Sequence, residues 1–241
     1  DAIAYRMTFN VTAGTSSLPL ASIPTGITAG DEILIIAMQG AGAGDYETAH
    51  VTGVAGSRLD LNKALTKSFS GSTDKIMVQR VPHYTTVTVG GTLTAGGYSC
   101  SSFLGGVLFF RASGAVNVAS GGAIDMGGKG FSGGGSVDQN GGIQGASPVG
   151  CGTNVRTANG GGGGGGGSNA WNVDPGNGAG GGGGGYGTAG AAGANSSGGN
   201  LGGVAGTVYG GADLTTKLFP GSGGGGGGNE MNRPSGNGGA G

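Results

Sequence analysis

The ionisable side chains that could support catalysis or hold a metal come closest together around His50. Asp45 and Glu47 precede this histidine at short spacing, and His83 is the other histidine of the chain. An imidazole beside carboxylates is the combination that acid–base catalysis and zinc sites use. No third ligand follows at a useful spacing, so a solvated hairpin end is the better interpretation. The sequence therefore predicts no catalytic residue, and we expect a protein that is not an enzyme.

Matches to glycine-containing functional motifs are not evidence of function in a chain this rich in glycine. The chain contains 66 glycines in 241 residues, so matches to serine-nucleophile elbows and nucleotide-binding glycine patterns are expected by chance. Eleven Lys and Arg against twelve Asp and Glu leave a formal net charge of −1. That balance argues against nucleic-acid binding through a basic surface. No apolar stretch reaches the length of a membrane span.

Two oxygen-rich segments could bind calcium. Residues 174–178 read Asp-Pro-Gly-Asn-Gly and residues 138–140 read Asp-Gln-Asn. Carboxylate and amide oxygens are the ligands that Ca²⁺ takes in proteins. Polar turns explain both segments at least as well. We therefore predict no cofactor, with calcium as the weaker alternative, and no other metal.

Aromatic and polar residues in the glycine-rich half are the candidate contacts for a partner. Tyrosine and tryptophan combine a large apolar area with a polar edge, and they dominate many interfaces. Packing of the single tryptophan over a glycine layer is the structural alternative and is slightly favoured. The candidates are Trp171, Asn172, Tyr186, Tyr209 and Arg233.

The cysteines and two Asn-x-Ser/Thr triplets bear on the cellular compartment. Cys100 and Cys151 permit one disulfide in an oxidising compartment, and two unlinked buried thiols are the alternative. Asn10 and Asn195 are candidate glycosylation sites, although such triplets are frequent by chance. The low charge and the start at Asp1 fit a processed secreted chain. We expect an extracellular or cell-surface location, or a place on a virion tail.

The glycine runs dominate the second half of the chain. Only 16 of the 66 glycines fall in residues 1–120, and the clearest runs are Gly160–Gly167, Gly180–Gly185 and Gly223–Gly228. Apolar residues interrupt the runs, which favours an ordered structure over a flexible linker. Glycine is unfavourable in α-helices and strands, and there are too few prolines for collagen. What remains is the polyglycine II helix, which needs backbones packed at close quarters.

The first 90 residues contain ordinary β-strand patterns. The continuous apolar run Ile33–Met38 is typical of a strand that is buried on both faces. Thr48–Val54 and Ser57–Leu61 predict a hairpin, and Lys75–Val81 predicts a further strand that ends at a proline. These patterns predict a β domain over residues 1–90.

The middle of the chain is a transition. Residues 91–127 contain short units in which glycine precedes an alternating strand, and they predict stacked parallel rungs or a small β-sandwich. The predicted fold is thus an all-β N-terminal part, a β-sandwich or solenoid-like rungs, with essentially no α-helix. A bundle of polyglycine II helices over residues 128–241 follows it.

Several stretches resemble glycine-rich bacterial extracellular and surface proteins. The glycine half also resembles the receptor-binding tips of bacteriophage tail fibres, in which polyglycine helices form a sandwich and intervening loops contact the host. This resemblance implies an extracellular, non-enzymatic, adhesive or structural protein, and a closing apolar strand beyond the last residue is expected. The stretches are Asp31–Gly40, Gly44–Ala49, Gln79–Tyr84, Gly105–Ala112, Tyr209–Thr215 and Gly221–Gly228.

Two functions of different classes follow. The first is a secreted structural protein that associates with copies of itself, or with a fibre shaft, because exposed backbone edges favour strand or helix addition. The second is an adhesin tip that recognises a host glycan or outer-membrane protein through the loops between glycine helices. Ice binding by a flat glycine-helix face is a third reading that rests on architecture alone.

Overall fold

A computed structural model describes residues 3–136, 141–160, 163–167, 178–196, 199–211, 213–228 and 236–241. Within these ranges the regular secondary structure consists of strands, without a helix. The strands are β1 (Ala4–Met7), β2 (Asn10–Val11), β3 (Ser17–Pro19), β4 (Glu32–Gln39), β5 (Tyr46–Ala55), β6 (Arg58–Leu61), β7 (Phe69–Ser70), β8 (Lys75–Val81), β9 (His83–Tyr84), β10 (Val87–Val89), β11 (Thr92–Leu93), β12 (Arg111–Ala112), β13 (Val116–Val118) and β14 (Ala123–Ile124).

The chain forms two compact units, each assembled from separate stretches of sequence. All of the strands named above belong to unit 1. Unit 1 comprises Asp1–Gly96, Ser101–Met126 and Thr215–Leu218, and unit 2 comprises Gly97–Cys100, Gly127–Leu214 and Phe219–Gly241.

Unit 1 is built on one six-stranded sheet that curls into a half barrel. Its strand order is β1-β8-β4-β5-β6-β3, and every neighbouring pair is antiparallel. β4 lies inside the sheet, and all eight of its residues are buried. Its central apolar run, Ile33–Met38, contains three isoleucines and suits a strand that has neighbours on both edges and cover on both faces.

Alternate residues of β4 face opposite sides of the sheet, as the pleat requires. Ile33, Ile35 and Ala37 belong to the main apolar core. Leu34 and Ile36 face the other side, where both side chains are completely buried. Glu32 has the parity of this second face, so the sequence alternation places a carboxylate within an apolar surface.

Three short parallel pairs follow the six-stranded sheet. The chain passes through β9, β10 and β11, returns, and then passes through β12, β13 and β14 in the same direction. Each strand of the second pass pairs with its counterpart in the first, and the first pair joins Arg111 to His83. These two passes bring two basic side chains to the carboxylate of β4.

Unit 2 is held together by backbone hydrogen bonds between glycine-rich segments. Successive residues of the run that begins at Gly223 donate to three different segments, over distances of 2.7–3.0 Å. Because glycine has no Cβ, one segment can approach several others closely enough for such bonds. The donors Gly223, Gly224 and Gly225 reach the carbonyl oxygens of Ala146, Gly239 and Gly182, respectively.

The predicted bundle of polyglycine II helices is wrong. Among the described residues after 127, no helix is present, and the assigned bridges are the isolated pairs Ser147–Gly150 and Asn159–Gly163. Glycine has no side chain that favours one backbone repeat over another. The composition therefore constrains how closely segments approach, and it does not specify their secondary structure.

The predicted β-sandwich is also wrong, because unit 1 contains a single curled six-stranded sheet, and the short units that follow it form parallel two-stranded pairs. The broader expectation of a β-rich chain is confirmed.

Candidate functional site

The structure describes two of the five residues predicted to contact a partner, Tyr186 and Tyr209. Trp171, Asn172 and Arg233 lie outside the described residues. The two tyrosines are neighbours in unit 2, although they are well separated in sequence. Their ring centroids are 5.3 Å apart, with the rings nearly perpendicular at 88°.

A third ring, from Phe219, completes this group. Its centroid lies 5.5 Å from that of Tyr209, again at 88°. Edge-to-face contacts of this kind are the preferred geometry of aromatic pairs. All three side chains are half-buried. We call Tyr186, Tyr209 and Phe219 the aromatic cluster. Phe219 is not among the candidate contact residues predicted from the sequence. The one sequence feature that could have indicated it is its position, as an aromatic residue, shortly before a glycine run.

Backbone contacts hold the aromatic cluster in place. The N–H groups of Tyr209 and Gly210 both donate to the carbonyl oxygen of Tyr186, at 3.0 and 3.1 Å. A Cβ on Gly210 would lie 2.7 Å from the Tyr186 ring. Glycine at this position therefore allows the ring to lie directly on the backbone.

The two tyrosine hydroxyls have different environments. Tyr209 donates to the carbonyl oxygen of Pro220. Burial raises the pKa of Tyr209 to about 12. A hydrogen bond with Ser222 lowers this pKa, and the neighbouring Tyr186 raises it, but burial is the largest effect. Tyr209 is therefore protonated near neutral pH. The Tyr186 hydroxyl has no hydrogen-bond partner among the residues that the structure describes.

Exposed residues flank the aromatic cluster. Thr188 accepts a hydrogen bond from the Tyr186 N–H through its carbonyl oxygen, and Thr188 is exposed. Val208 precedes Tyr209 and is 54% exposed. The neighbourhood thus offers apolar area and hydroxyl groups. This chemistry is suited to binding an uncharged polar ligand.

A charged centre in unit 1 is the second notable site. Glu32 is 5% exposed and receives hydrogen bonds from Arg111, whose Nη2 lies 2.8 Å from Oε1 and whose Nε lies 3.2 Å from Oε2. The His83 Nε2 atom lies 2.6 Å from Oε2. Burial alone would raise the pKa of Glu32, but hydrogen bonds from Arg111, His83 and Thr48 prevail and lower it to about 2. This carboxylate is therefore ionised and fully engaged, as expected of a structural ion pair.

The histidine–carboxylate group suggested by the sequence does not form. Glu47 accepts hydrogen bonds from the N–H groups of Thr66 and Lys67, and Asp45 pairs with Lys67. His50 instead lies beside His83, with ring centroids 6.0 Å apart. Within the residues that the structure describes, no group of three His, Cys, Asp or Glu side chains could hold a metal. The candidate calcium segment 138–140, and residues 174–177 of the segment 174–178, lie outside those residues.

The remaining predicted residues have structural contacts. Cys100 and Cys151 form a disulfide inside unit 2. The Asn10 side-chain oxygen accepts hydrogen bonds from the N–H and hydroxyl of Ser72, at 3.1 and 2.8 Å. The Asn195 side-chain oxygen accepts one from the Gly202 N–H at 2.9 Å. Glycosylation at either asparagine stays a prediction.

Comparison with known proteins gives no family assignment. No family model matches the chain, and no curated protein matches its sequence. Three phage tailspike structures share local similarity with it. The tailspike of Pseudomonas phage LKA1 is 24% identical over 39% of this chain and 17% of its own, with a TM-score of 0.30. The tailspike of Acinetobacter baumannii phage AP22, in complex with the capsular saccharide of that bacterium, is 12% identical over 49% of this chain and 24% of its own, with a TM-score of 0.29. The tailspike of Pseudomonas phage phi297 is 11% identical over 48% of this chain and 31% of its own, with a TM-score of 0.28.

The chain thus spans less than a third of the length of each of these tailspikes. At these TM-scores the likeness is local, and neither fold nor function is assigned from it. No helix in the described ranges is long and apolar enough to cross a membrane.

Proposed function

We propose that this chain is an extracellular, non-enzymatic adhesin that recognises a saccharide on a host surface through the aromatic cluster of unit 2. The observation that carries this proposal is the arrangement of Tyr186, Tyr209 and Phe219, three half-buried rings held edge to face. A place on a virion tail or on a cell surface is consistent with such a function.

The rigidity of the cluster supports a binding role. Tyr186 is held against Gly210 and Tyr209, so little side-chain freedom remains to be lost when a ligand binds. A sugar ring presents both C–H groups and hydroxyls. The Tyr186 ring can contact the former, while its unpaired hydroxyl and the Thr188 hydroxyl can bond the latter. Tyrosine provides such contacts at a small entropic cost, as it does in antibody paratopes.

The test is a matched pair of tyrosine variants. Tyr186→Ala removes one half-buried ring of the cluster, whereas Tyr84→Ala removes a tyrosine of unit 1 that is 46% exposed and also contacts another ring, that of Phe110. We expect Tyr186→Ala to lower affinity by tenfold or more, and Tyr84→Ala by less than twofold. Binding would be measured against a panel of bacterial capsular and lipopolysaccharide-derived saccharides and against intact cells.

Equal binding by both variants would remove the aromatic cluster from the interface. Failure of the wild-type chain to bind any saccharide or cell in the panel would overturn the proposed function itself. Circular dichroism of each variant distinguishes loss of binding from loss of folding.

Self-association is the second candidate, and one observation favours it. A groove of about 480 Å³ in unit 2 is lined almost entirely by backbone, from Gly178–Gly183, Gly224, Gly225, Gly227, Gly228 and Gly236–Gly239. In the described residues, the N–H group of Gly181, which lines this groove, makes no backbone hydrogen bond. A glycine segment of a second copy could supply acceptors there. Sedimentation velocity from micromolar to millimolar concentration tests this, and a constant monomer mass would exclude it.

A further inference from the structure

Two basic side chains of unit 1 lie on the same aromatic ring. The Arg6 Cζ atom is 4.7 Å, and the Lys75 Nζ atom 4.8 Å, from the centroid of Phe103. We call Arg6 and Lys75 the cationic pair. Contacts at this distance are cation–π interactions, which orient a cation without neutralising its charge. All three side chains are half-buried, so solvent screens the two charges less than it would at a fully exposed site.

The sheet places the cationic pair on one face. Arg6 of the edge strand β1 pairs with Met77 of β8, and Lys75 lies two residues before Met77 on the same strand. Residues two apart on a strand share a face, so Arg6 and Lys75 are diagonal cross-strand neighbours. Their positions are therefore set by the register of β1 and β8.

Phe103 reaches this position through an unusual backbone. Its φ angle is 59°, and it is the non-glycine residue with positive φ among those that the structure describes. A bulky residue in the left-handed region is uncommon and costs conformational energy. Such a conformation persists where the surrounding structure requires it, and here it positions the ring at the two cations.

The cationic pair has no counter-ion within the described ranges. No carboxylate of the described residues lies within ion-pair distance of either group, although Arg58, Lys63, Lys67, Arg111 and Lys217 each have one. The Arg6 Nε atom is buried without a hydrogen-bond acceptor. Asp74, next to Lys75 in sequence, accepts hydrogen bonds from the N–H groups of Ala41 and Gly42. Two neighbouring positive charges repel each other, and a bound anion would relieve that repulsion.

We propose that Arg6 and Lys75 form a binding site for an oxyanion, the carboxylate or sulfate group of an acidic ligand. The guanidinium group offers paired N–H donors that fit a planar or tetrahedral oxyanion, and the ammonium group adds a second charge. Phe103 holds both groups in place. This site is in unit 1 and does not depend on the saccharide-binding function proposed for unit 2.

The experiment uses two probes, sodium sulfate and an oligogalacturonate, measured by isothermal titration calorimetry in low-salt buffer. We expect the full chain to bind at least one of them, and the Arg6→Gln/Lys75→Gln variant to bind it at least tenfold more weakly. The control Arg58→Gln/Lys63→Gln removes the same charge from two cations that have carboxylate partners, and we expect less than a twofold change.

The pattern across the two probes identifies the ligand. Binding of both supports a general oxyanion site, and binding of the oligogalacturonate alone supports a carboxylate carried on a saccharide. Binding of sulfate alone supports a sulfated ligand. The proposal is overturned if the wild-type chain binds neither probe, or if the cationic-pair variant and the control variant bind equally. Lys75→Gln alone, which leaves the stacked arginine in place, provides the comparison if the double variant does not fold.

Discussion

At the scale of single residues, Glu32 has an environment that its sequence position does not suggest. It begins an apolar strand, yet it is buried and ionised because Arg111 and His83 both donate to it. Removal of one partner from a buried ion pair leaves an uncompensated charge, which is strongly destabilising. The Arg111–Glu32 contact joins the sheet to the second parallel pass of unit 1.

The low pKa of Glu32 predicts a specific loss of stability in acid. The folded-state pKa is about 2 against an ordinary value of 4.5. Between these two pH values the unfolded chain binds a proton that the folded chain does not, so this contribution is present above pH 4.5 and is lost as the pH falls towards 2. Its size is about 3 kcal/mol. Urea unfolding of wild type and Glu32→Gln at several pH values between 2 and 6 measures it.

The comparison is between the two pH profiles, because other carboxylates also titrate in this range. Wild type should lose more stability than Glu32→Gln as the pH falls through this range. Asp60→Asn is the control, since Asp60 pairs with Arg58 at an exposed position and should leave the profile almost unchanged. Parallel profiles for wild type and Glu32→Gln would contradict the prediction.

At the scale of elements, the glycine segments of unit 2 replace side-chain packing with backbone contact. A Cβ on Gly134 would lie 1.8 Å from the carbonyl oxygen of Ile143, whereas a Cβ on the adjacent Gly135 would meet nothing closer than 3.8 Å. The same run therefore contains positions where only glycine fits and positions where a methyl group is accommodated. The run itself shows no such difference, because every residue in it is the same.

This difference predicts opposite results for two neighbouring substitutions. Gly134→Ala places a methyl group inside another segment's backbone and should lower the free energy of unfolding by about 3 kcal/mol or more. Gly135→Ala should change it by less than about 1 kcal/mol, because alanine restricts the unfolded chain without a clash in the folded one. Chemical denaturation of both variants beside wild type provides the measurement. Similar effects at the two positions would show that the segments are not in contact as described.

At the scale of the whole molecule, the disulfide lies within one unit. Cys100 and Cys151 both belong to unit 2, with a sequence separation of 51 residues. A cross-link of that span restricts the unfolded chain, which stabilises the folded state by about 4 kcal/mol in the chain-entropy description. Among the described residues of unit 2, few large apolar side chains are buried, so we expect this covalent link to be a substantial part of its stability.

Reduction of the disulfide should therefore weaken unit 2 and leave unit 1 largely unaffected. We expect faster hydrogen exchange after reduction in peptides from residues 141–160 and 178–196, and unchanged exchange in peptides that contain β4. A Cys100→Ser/Cys151→Ser variant should show the fast exchange with or without reductant. Equal exchange in oxidised and reduced wild type would exclude a stabilising disulfide.

Local sequence patterns predicted the strands well. The run Ile33–Met38 lies within β4, Lys75–Val81 coincides with β8, and the predicted hairpin corresponds to β5 and β6. Each of these patterns depends on residues next to one another in the chain, because a buried strand needs apolar side chains on its own consecutive positions. The sequence also singled out Tyr186 and Tyr209 by residue type, without indicating that their rings would meet.

Only the tertiary structure decided which distant residues meet. Three contacts join parts of the chain that share no local pattern: Glu32 with Arg111, Phe219 with Tyr209, and Phe103 with the cationic pair. The glycine runs were misjudged for a related reason. A chain without side chains has no periodic signal of its own, so its conformation depends on the hydrogen bonds that it makes with other segments.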